Sequence, residues 1–282
     1  MSVYDTQDPA ARETALDAAE EAIRHGGLVV LPTDTVYGIG ADAFSPDAVD
    51  ALLEAKGRGR DVPPPVLVGD PAVVMALAID VPEYVEQLTE AFWPGPLTLI
   101  LTAQPMLHWD LGETRGTVAL RMPDHEVALD LLRRTGPLAV SSANRHGRDA
   151  ATTVLDAATQ LGDRVEVYLD GGTARLGTAS TIIDTTVEPP EIVREGALSR
   201  EDIVAAVGDI FTAPEPEADE SDIQQPDADQ PDADQPAADQ PVDDQPGGEE
   251  PEAEAPAHAE AEPVVAEPAA EPSDELPTRR DG

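Results

Sequence analysis

Residues 1–212 predict an α/β (α+β) domain: a mixed β-sheet flanked by helices, not a purely parallel doubly wound one. Two patterns carry this expectation. Short apolar runs bounded by Gly and Pro alternate with amphipathic stretches along most of the chain, and in several places two such runs follow one another with no helix between them. The length is that of one domain with a full core.

The elements follow in order. Residues 13–25 are amphipathic and stop at Gly26-Gly27, which predicts a helix; the apolar run 28–31 predicts a buried strand ending at Pro32. Ser45-Pro46-Asp47 is a cap with proline at the first helical position, opening a helix to Lys56. After Pro63-Pro64-Pro65, residues 66–68 read as a strand, and 71–78 and 82–92 as helices, the second stopped by "WPGP". Strands are expected at 97–102 and 117–121, a helix near 126–134, and a strand at 138–141 leading into Ser142-Ala143-Asn144. A helix near 153–161 and strands at 165–169, 180–184 and 192–194 complete the sheet. Ser199 caps the last helix, with Asp202 reaching back as in a capping box.

The formal net charge of −40 over 282 residues excludes a protein that coats nucleic acid by neutralising phosphates. A surface of that charge suits either a salt-rich medium or simple solubility, and composition does not separate the two. Much of the excess lies in residues 213–282, where a D-Q-P-x-x period runs between Gln225 and Pro246. Proline at every fifth residue excludes helix and like charges extend the chain, so this segment is expected to be a disordered tail. Without cysteine there is no disulfide, thiolate zinc site or cysteine nucleophile. The N-terminal stretch has no basic segment before an apolar one, and no apolar run approaches ~18 residues, so a cytoplasmic protein with no membrane partner is expected.

Small polar residues and arginines recur at the ends of the predicted strands, where open sheets place ligands. In "PTDTVYGIGAD", Thr33 and Thr35 supply hydroxyls while Gly38 and Gly40 would let backbone approach a ligand; a tight loop held by Thr and Asp explains the stretch equally well. "KGRGR" holds the chain's single lysine, Lys56, with Arg58 and Arg60 at two-residue spacing. One cation at a helix C-terminus complements the dipole, but three at alternating positions repel unless an anion lies among them. A polyphosphate fits: a compact ammonium sits among phosphate oxygens, whereas a guanidinium asks for a planar, bidentate partner. Arg121, ending the strand of "TVALRMP", suits either a carboxylate ligand or a salt bridge to a protein acid. "AVSSANRHGR" gathers Ser141, Ser142 and Asn144 where the chain leaves the sheet; no G-x-S-x-G elbow surrounds them, so a hydrogen-bonding loop for phosphate or base is favoured over a serine nucleophile.

Taken in order, "GGLVVLPTDTVYGIGADA", "AKGR", "FWPGPLT", "TVALRMP", "VSSAN", "LDGG", "STIID" and "IVREGA" resemble the threonylcarbamoyl-AMP synthase family, whose fold is called YrdC-like. The likeness covers residues 10–208. It implies a twisted mixed sheet with a deep cationic cavity on one side, and a reaction in which L-threonine, bicarbonate or CO2, and ATP give L-threonylcarbamoyl-AMP and pyrophosphate. A separate threonylcarbamoyl transferase complex would consume the product to make N6-threonylcarbamoyladenosine in tRNA, so stable nucleic-acid binding is not expected of this chain. By resemblance, Lys56 and Arg58 hold the ATP phosphates and carry catalysis, and Thr117, Ser142, Asn144 and Arg194 complete the nucleotide site. Thr35, Arg121 and Ser180 grip threonine, with Arg121 on its carboxylate, and Mg²⁺ is expected with ATP. No residue stands out as a general base.

The chain departs from the family in one place. The pattern K-x-R-P-x-x-x-P-L-x-x-H reads here as "KGRGRDVPPPVLVGD", with an apparent insertion and Gly69 where the histidine is expected. The competing reading from another class is a non-catalytic RNA-binding module on the same fold, opposed by the small number of basic residues. A hydrogenase-maturation carbamoyltransferase would carry cysteine zinc motifs, which this chain lacks.

Overall fold

The computed structural model describes residues 1–212, and the expectation of a disordered tail at 213–282 lies outside the described residues. Among the described residues, eleven strands form one mixed sheet. They are β1 (Ser2–Asp5), β2 (Val29–Leu31), β3 (Gly38–Asp42), β4 (Val66–Leu67), β5 (Ala78–Ile79), β6 (Leu97–Ala103), β7 (Thr117–Arg121), β8 (Leu138–Ser142), β9 (Val167–Asp170), β10 (Thr181–Asp184) and β11 (Glu191–Arg194). Their spatial order is β1-β9-β2-β3-β8-β4-β7-β6-β10-β11, with β5 on β6. Chain neighbours β2/β3, β6/β7 and β10/β11 pair antiparallel, as short connections require, while β1/β9, β2/β9, β4/β7 and β6/β10 are parallel.

The helices are α1 (Pro9–Arg24), α2 (Pro46–Lys56), α3 (Val74–Leu77), α4 (Tyr84–Phe92), α5 (Glu126–Thr135), α6 (Val154–Leu161) and α7 (Arg200–Val207). Local chemistry fixes their ends. Asp8 accepts from the Ala10 amide with Pro9 in the first turn, so α1 opens four residues before the apolar periodicity begins. Ser45 caps α2, and Gly57 ends it at φ 65°, a conformation glycine takes without strain. Both hydrogen bonds of the Ser199–Asp202 capping box are present, and Thr153 with Asp156 makes another at α6.

Three expectations differ from the fold. β1 was not expected: its four polar or isolated apolar residues form an edge strand whose burial is slight. Residues 71–78 are not one helix but a 3₁₀ turn, the single turn of α3, and then β5. The stretch read as a ligand loop also contains an unexpected strand, β3, where Gly38, which lines the cavity described below, and Gly40 face neighbouring side chains. A Cβ on Gly38 would lie 2.6 Å from Val140 Cγ1, and one on Gly40 3.3 Å from Leu31 Cδ2. The glycines make room for Val140 and Leu31 to pack.

Period-two alternation divides the sheet into two faces. Val30, Ile39, Val66, Leu97, Leu99, Leu101, Val118, Leu120 and Ile183 enter the larger core. On the other face, Val29, Leu31, Leu67, Leu138, Val140 and Val167 pack with Leu16 and Ile23 of α1 and Val127, Leu131 and Leu132 of α5. Further along that second face β7, β6 and β10 present Thr117, Ala119, Arg121, Thr98, Ile100 and Ile182, which line a cavity. The cavity is the part of the sheet face where polar residues replace the apolar ones that would pack beneath a helix.

Candidate functional site

The cavity has a volume of about 540 Å³, within the range of small-molecule sites. Its floor is the sheet face just described. One wall is the segment after α2, from Arg58 through Val62 and Pro63-Pro64-Pro65; it is clasped to the segment before β7, where the Glu113 amide donates to Arg60 O at 2.8 Å. Among the described residues, the charged ones lining it are Arg58, Arg121 and Arg194, with no carboxylate or histidine beside them, and the remaining polar lining is largely hydroxyl.

Arg121 is 7% exposed and held by three acceptors: Nε donates to Gly95 O at 3.0 Å, Nη1 to Thr35 Oγ1 at 2.8 Å and Nη2 to Asp34 Oδ1 at 2.5 Å. A guanidinium has five N–H groups, so one on each terminal nitrogen is left. Burial pushes the Arg121 pKa down, Asp34 opposes that shift, and the charge of Arg194 adds to it. The Asp34 carboxylate also accepts from the Asp124 amide at 3.0 Å, while its Oδ2 has no partner.

The Thr33–Thr35 hydroxyls are fully determined. Thr33 Oγ1 donates to Val36 O at 2.6 Å, so in its 3.0 Å contact with Thr35 it must accept. Thr35 Oγ1 therefore donates to Thr33, accepts from Arg121, and retains one lone pair. It can offer a ligand an acceptor and nothing else.

Arg58 is half-buried, and its Nη1 donates to Ser141 Oγ at 3.1 Å. Its Nε is buried without a partner. Burial lowers the Arg58 pKa; Asp61 opposes this and Arg194 reinforces it. Arg194 donates through Nε and Nη2 to Ser180 O at 3.0 and 2.8 Å, and through Nη2 to Ser180 Oγ at 3.0 Å. Thr117 spends its proton on Thr114 O at 2.8 Å and keeps acceptor capacity.

The fold thus brings Arg58, Thr117, Ser142, Arg194, Thr35, Arg121 and Ser180 to one cavity. Lys56 and Asn144 lie behind Ser142 and outside the lining. The Lys56 ammonium is buried and donates to Ser142 O, to Asn144 O at 2.8 Å and to Asn144 Oδ1 at 3.4 Å, so its three donors face the turn that carries those residues. Burial first, and then the Arg58 charge, push its pKa down to about 8. Asn144 Nδ2 donates to Arg145 O and Arg148 O, tying the same turn to the next.

Two readings of the basic segment are corrected. Arg60 does not join a phosphate cluster: its guanidinium turns outward to Asp50 and Asp110, two surface carboxylates that satisfy the charge. Gly69 is not on the cavity either. It packs against Leu132 and Arg133 of α5, where a Cβ would lie 3.2 Å from Leu132 Cβ, whereas Leu67 lines the cavity. Counted without an insertion, the family pattern ends on Leu67, so an apolar side chain stands where the histidine was expected. Thr33 and Ser141, singled out in the sequence but given no ligand, also line the cavity, and sequence reasoning passed over Thr98 there. For Thr98 a signal existed: it is the polar residue within the apolar run "LTLIL".

A family model covering Sua5, YciO and YrdC proteins, described as "Telomere recombination", matches residues 21–196. A Mycobacterium tuberculosis protein provisionally named a threonylcarbamoyl-AMP synthase is 50% identical over 205 residues, spanning 73% of this chain and 94% of the relative. The Bacillus subtilis threonylcarbamoyl-AMP synthase is 37% identical over 207 residues, spanning 73% of this chain and 60% of the relative. Among solved structures, Pyrococcus abyssi Sua5 complexed with L-threonine superposes with a TM-score of 0.70 at 37% identity, covering 74% of this chain and 61% of that one. The chain therefore spans about three-fifths of the Bacillus and Pyrococcus proteins and nearly the whole mycobacterial one.

Proposed function

The chain belongs to the Sua5/YciO/YrdC family, and from that premise we propose that it is an L-threonylcarbamoyl-AMP synthase, a nucleotidyltransferase acting on L-threonine, bicarbonate or CO2, and ATP. The observation that carries the reading is a cavity whose charges, among the described residues, are three arginines with hydroxyls around them. Such a site asks for anions, and the threonine carboxylate, bicarbonate and the ATP phosphates are anionic.

The chain's residues divide the work. Arg121 takes the threonine carboxylate on its two free N–H groups, as a bidentate pair on rigid strand. Thr35, which can only accept, takes an N–H of the amine. The neutral amine attacks CO2, giving a carbamate and releasing a proton; a carbamate oxygen then attacks the α-phosphorus of ATP, and pyrophosphate leaves with the electrons of the broken P–O bond. The barriers are assembling three substrates and bringing an anion onto a polyanion. Arg58 and Arg194 lower the second by holding phosphate oxygens, and Thr117 and Ser142 complete the nucleotide contacts. Lys56 serves them from below: it holds the Ser142–Asn144 turn and adds its charge beneath the phosphates. No general base is assigned, because no residue on the lining among the described ones stands out as such a group.

Mg²⁺ belongs to this reading as a companion of ATP. Among the described residues there is no group of three or more His, Cys, Asp or Glu that could hold a metal, and no step is routed through it. The product is an activated acyl group, whose consumer is a separate transferase complex that modifies tRNA. No helix among the described residues is long and apolar enough to cross a membrane.

The test is pyrophosphate release by the purified chain, with threonine, bicarbonate and ATP each present or omitted. Release that needs all three supports the reading; release indifferent to threonine overturns it.

A further inference from the structure

Thr98 lies at the centre of the cavity floor, and none of the assignments above uses it. It is 1% exposed and lines the cavity. In the β6/β7 ladder Leu99 is opposite Leu120, so one step further Thr98 stands across from Arg121. In the parallel β6/β10 ladder Thr98 is opposite Ile182, and its Oγ1 lies 2.8 Å from Ser180 Oγ. Thr98 thus stands across from Arg121 on one side and hydrogen-bonds, just before β10 on the other, to Ser180; these are two of the residues placed on threonine by the functional reading.

Counting protons shows what the pair offers. Each hydroxyl has one donor and two acceptor positions. Ser180 Oγ already accepts from Arg194. The contact between the two hydroxyls uses one of their two protons. If Thr98 donates it, Ser180 keeps an O–H for a ligand; if Ser180 donates it, Thr98 does. In either state one O–H and two lone pairs remain for whatever fills the cavity beside Arg121. Adjacent strands are about 4.8 Å apart, a distance on the scale of a small α-amino acid from carboxylate to β-substituent. A hydroxyl on the β-carbon, both donor and acceptor, is the group this pair matches.

We propose that Thr98 is a specificity-determining residue of the amino-acid site: with Ser180 it forms a hydroxyl pair that reads the β-hydroxyl of the substrate. The inference rests on the synthase reading above. An isostere with a methyl in place of the hydroxyl leaves the buried O–H unpaired, which is how a site separates near-isosteres that shape alone admits.

The test uses the full chain and its Thr98→Val and Thr98→Ser variants. It measures threonine-dependent pyrophosphate release, the inhibition constant of L-valine against L-threonine, and the KM for ATP. Thr98→Val should lower kcat/KM for threonine by roughly 10- to 100-fold while the valine constant and the ATP KM stay within about threefold. Thr98→Ser, which keeps the hydroxyl, should stay within a few-fold of the parent on all three. Unchanged threonine use by Thr98→Val, or equal losses for threonine and valine, overturns the proposal, the second outcome marking a merely structural residue. Should Thr98→Val fail to fold, Thr98→Ala carries the same expectation. If the parent chain itself releases no pyrophosphate with threonine, the synthase reading falls and takes this inference with it; a threonine-dependent parent with an unaffected variant sinks the inference alone.

Discussion

The pairing of Arg121 with Asp34 makes a quantitative claim. Both side chains are buried, 7% and 1% exposed, and Asp34 is the charged partner that offsets the burial of the guanidinium. Asp34→Asn keeps size and one acceptor but removes the counter-charge. Breaking a buried pair from one side costs about 3–5 kcal/mol, and the retained acceptor places this case near 3 kcal/mol. For a domain of this size that is a melting decrease of roughly 6–12 °C. Removing both charges, in Asp34→Asn/Arg121→Met, should be milder than the sum of the single variants by at least about 2 kcal/mol, because the doubly neutral site leaves no uncompensated ion. The assay is denaturant and thermal unfolding of the four proteins in one buffer. A loss below about 1 kcal/mol for Asp34→Asn, or simple additivity in the cycle, would refute the view that Asp34 is what makes a buried Arg121 tolerable.

Other expectations follow from single features. Lys56 has a folded pKa of about 8, below its unfolded value, so the unfolded chain holds a proton the folded chain releases. Stability should therefore rise from pH 8 towards 10, by about 2 kcal/mol at pH 9.5 relative to Lys56→Met, read from urea midpoints; parallel curves for the two proteins would contradict it. Gly38→Ala should cost about 1–3 kcal/mol in the same assay, because the new Cβ meets Val140 at 2.6 Å. Arg60→Ala should speed amide exchange at Glu113, which donates to Arg60 O, and at Gly112, which donates to the Asp110 carboxylate that Arg60 holds, without a fall in the melting temperature; unchanged exchange would show that the ion pairs do not hold the wall. Arg58→Ala should weaken ATP binding tenfold or more by calorimetry, whereas equal affinities would remove Arg58 from the nucleotide site.

Much of this fold is legible residue by residue, and the failures have physical causes. The bounds of β7 match the sequence reading, and the end of α2 falls on Lys56 as expected, because "TVALR" and the Ser45-Pro46 cap are local signals that packing has no reason to override. β3 escaped because its two glycines make it look like a ligand loop; what they accommodate is Leu31 on the preceding strand and Val140, which comes from a strand about a hundred residues further along. Arg60 was misplaced for a similar reason: alternation along a segment says nothing about the carboxylates that tertiary structure puts beside it, here Asp50 and Asp110. Thr98 could have been found from period-two alternation, since a polar residue within an apolar strand must face something polar when both faces are covered.

The lone lysine is best understood from its partners. A tetrahedral ammonium has three divergent donors, and Ser142 O, Asn144 O and Asn144 Oδ1 converge on it from one turn. A planar guanidinium at the same place would bring five donors and more volume to a buried spot with oxygens arranged for three. The requirement for lysine is therefore set by protein oxygens behind the cavity as much as by any phosphate within it. This separates two meanings of a lost activity. Lys56→Arg should disturb the Ser142–Asn144 turn and with it Ser141, the partner of Arg58. If so, its defect appears as slower turnover together with faster amide exchange at residues 142–146. A charge effect on phosphate alone would leave exchange at that turn unchanged, and finding it unchanged in an inactive Lys56→Arg would put the ammonium in direct contact with the nucleotide.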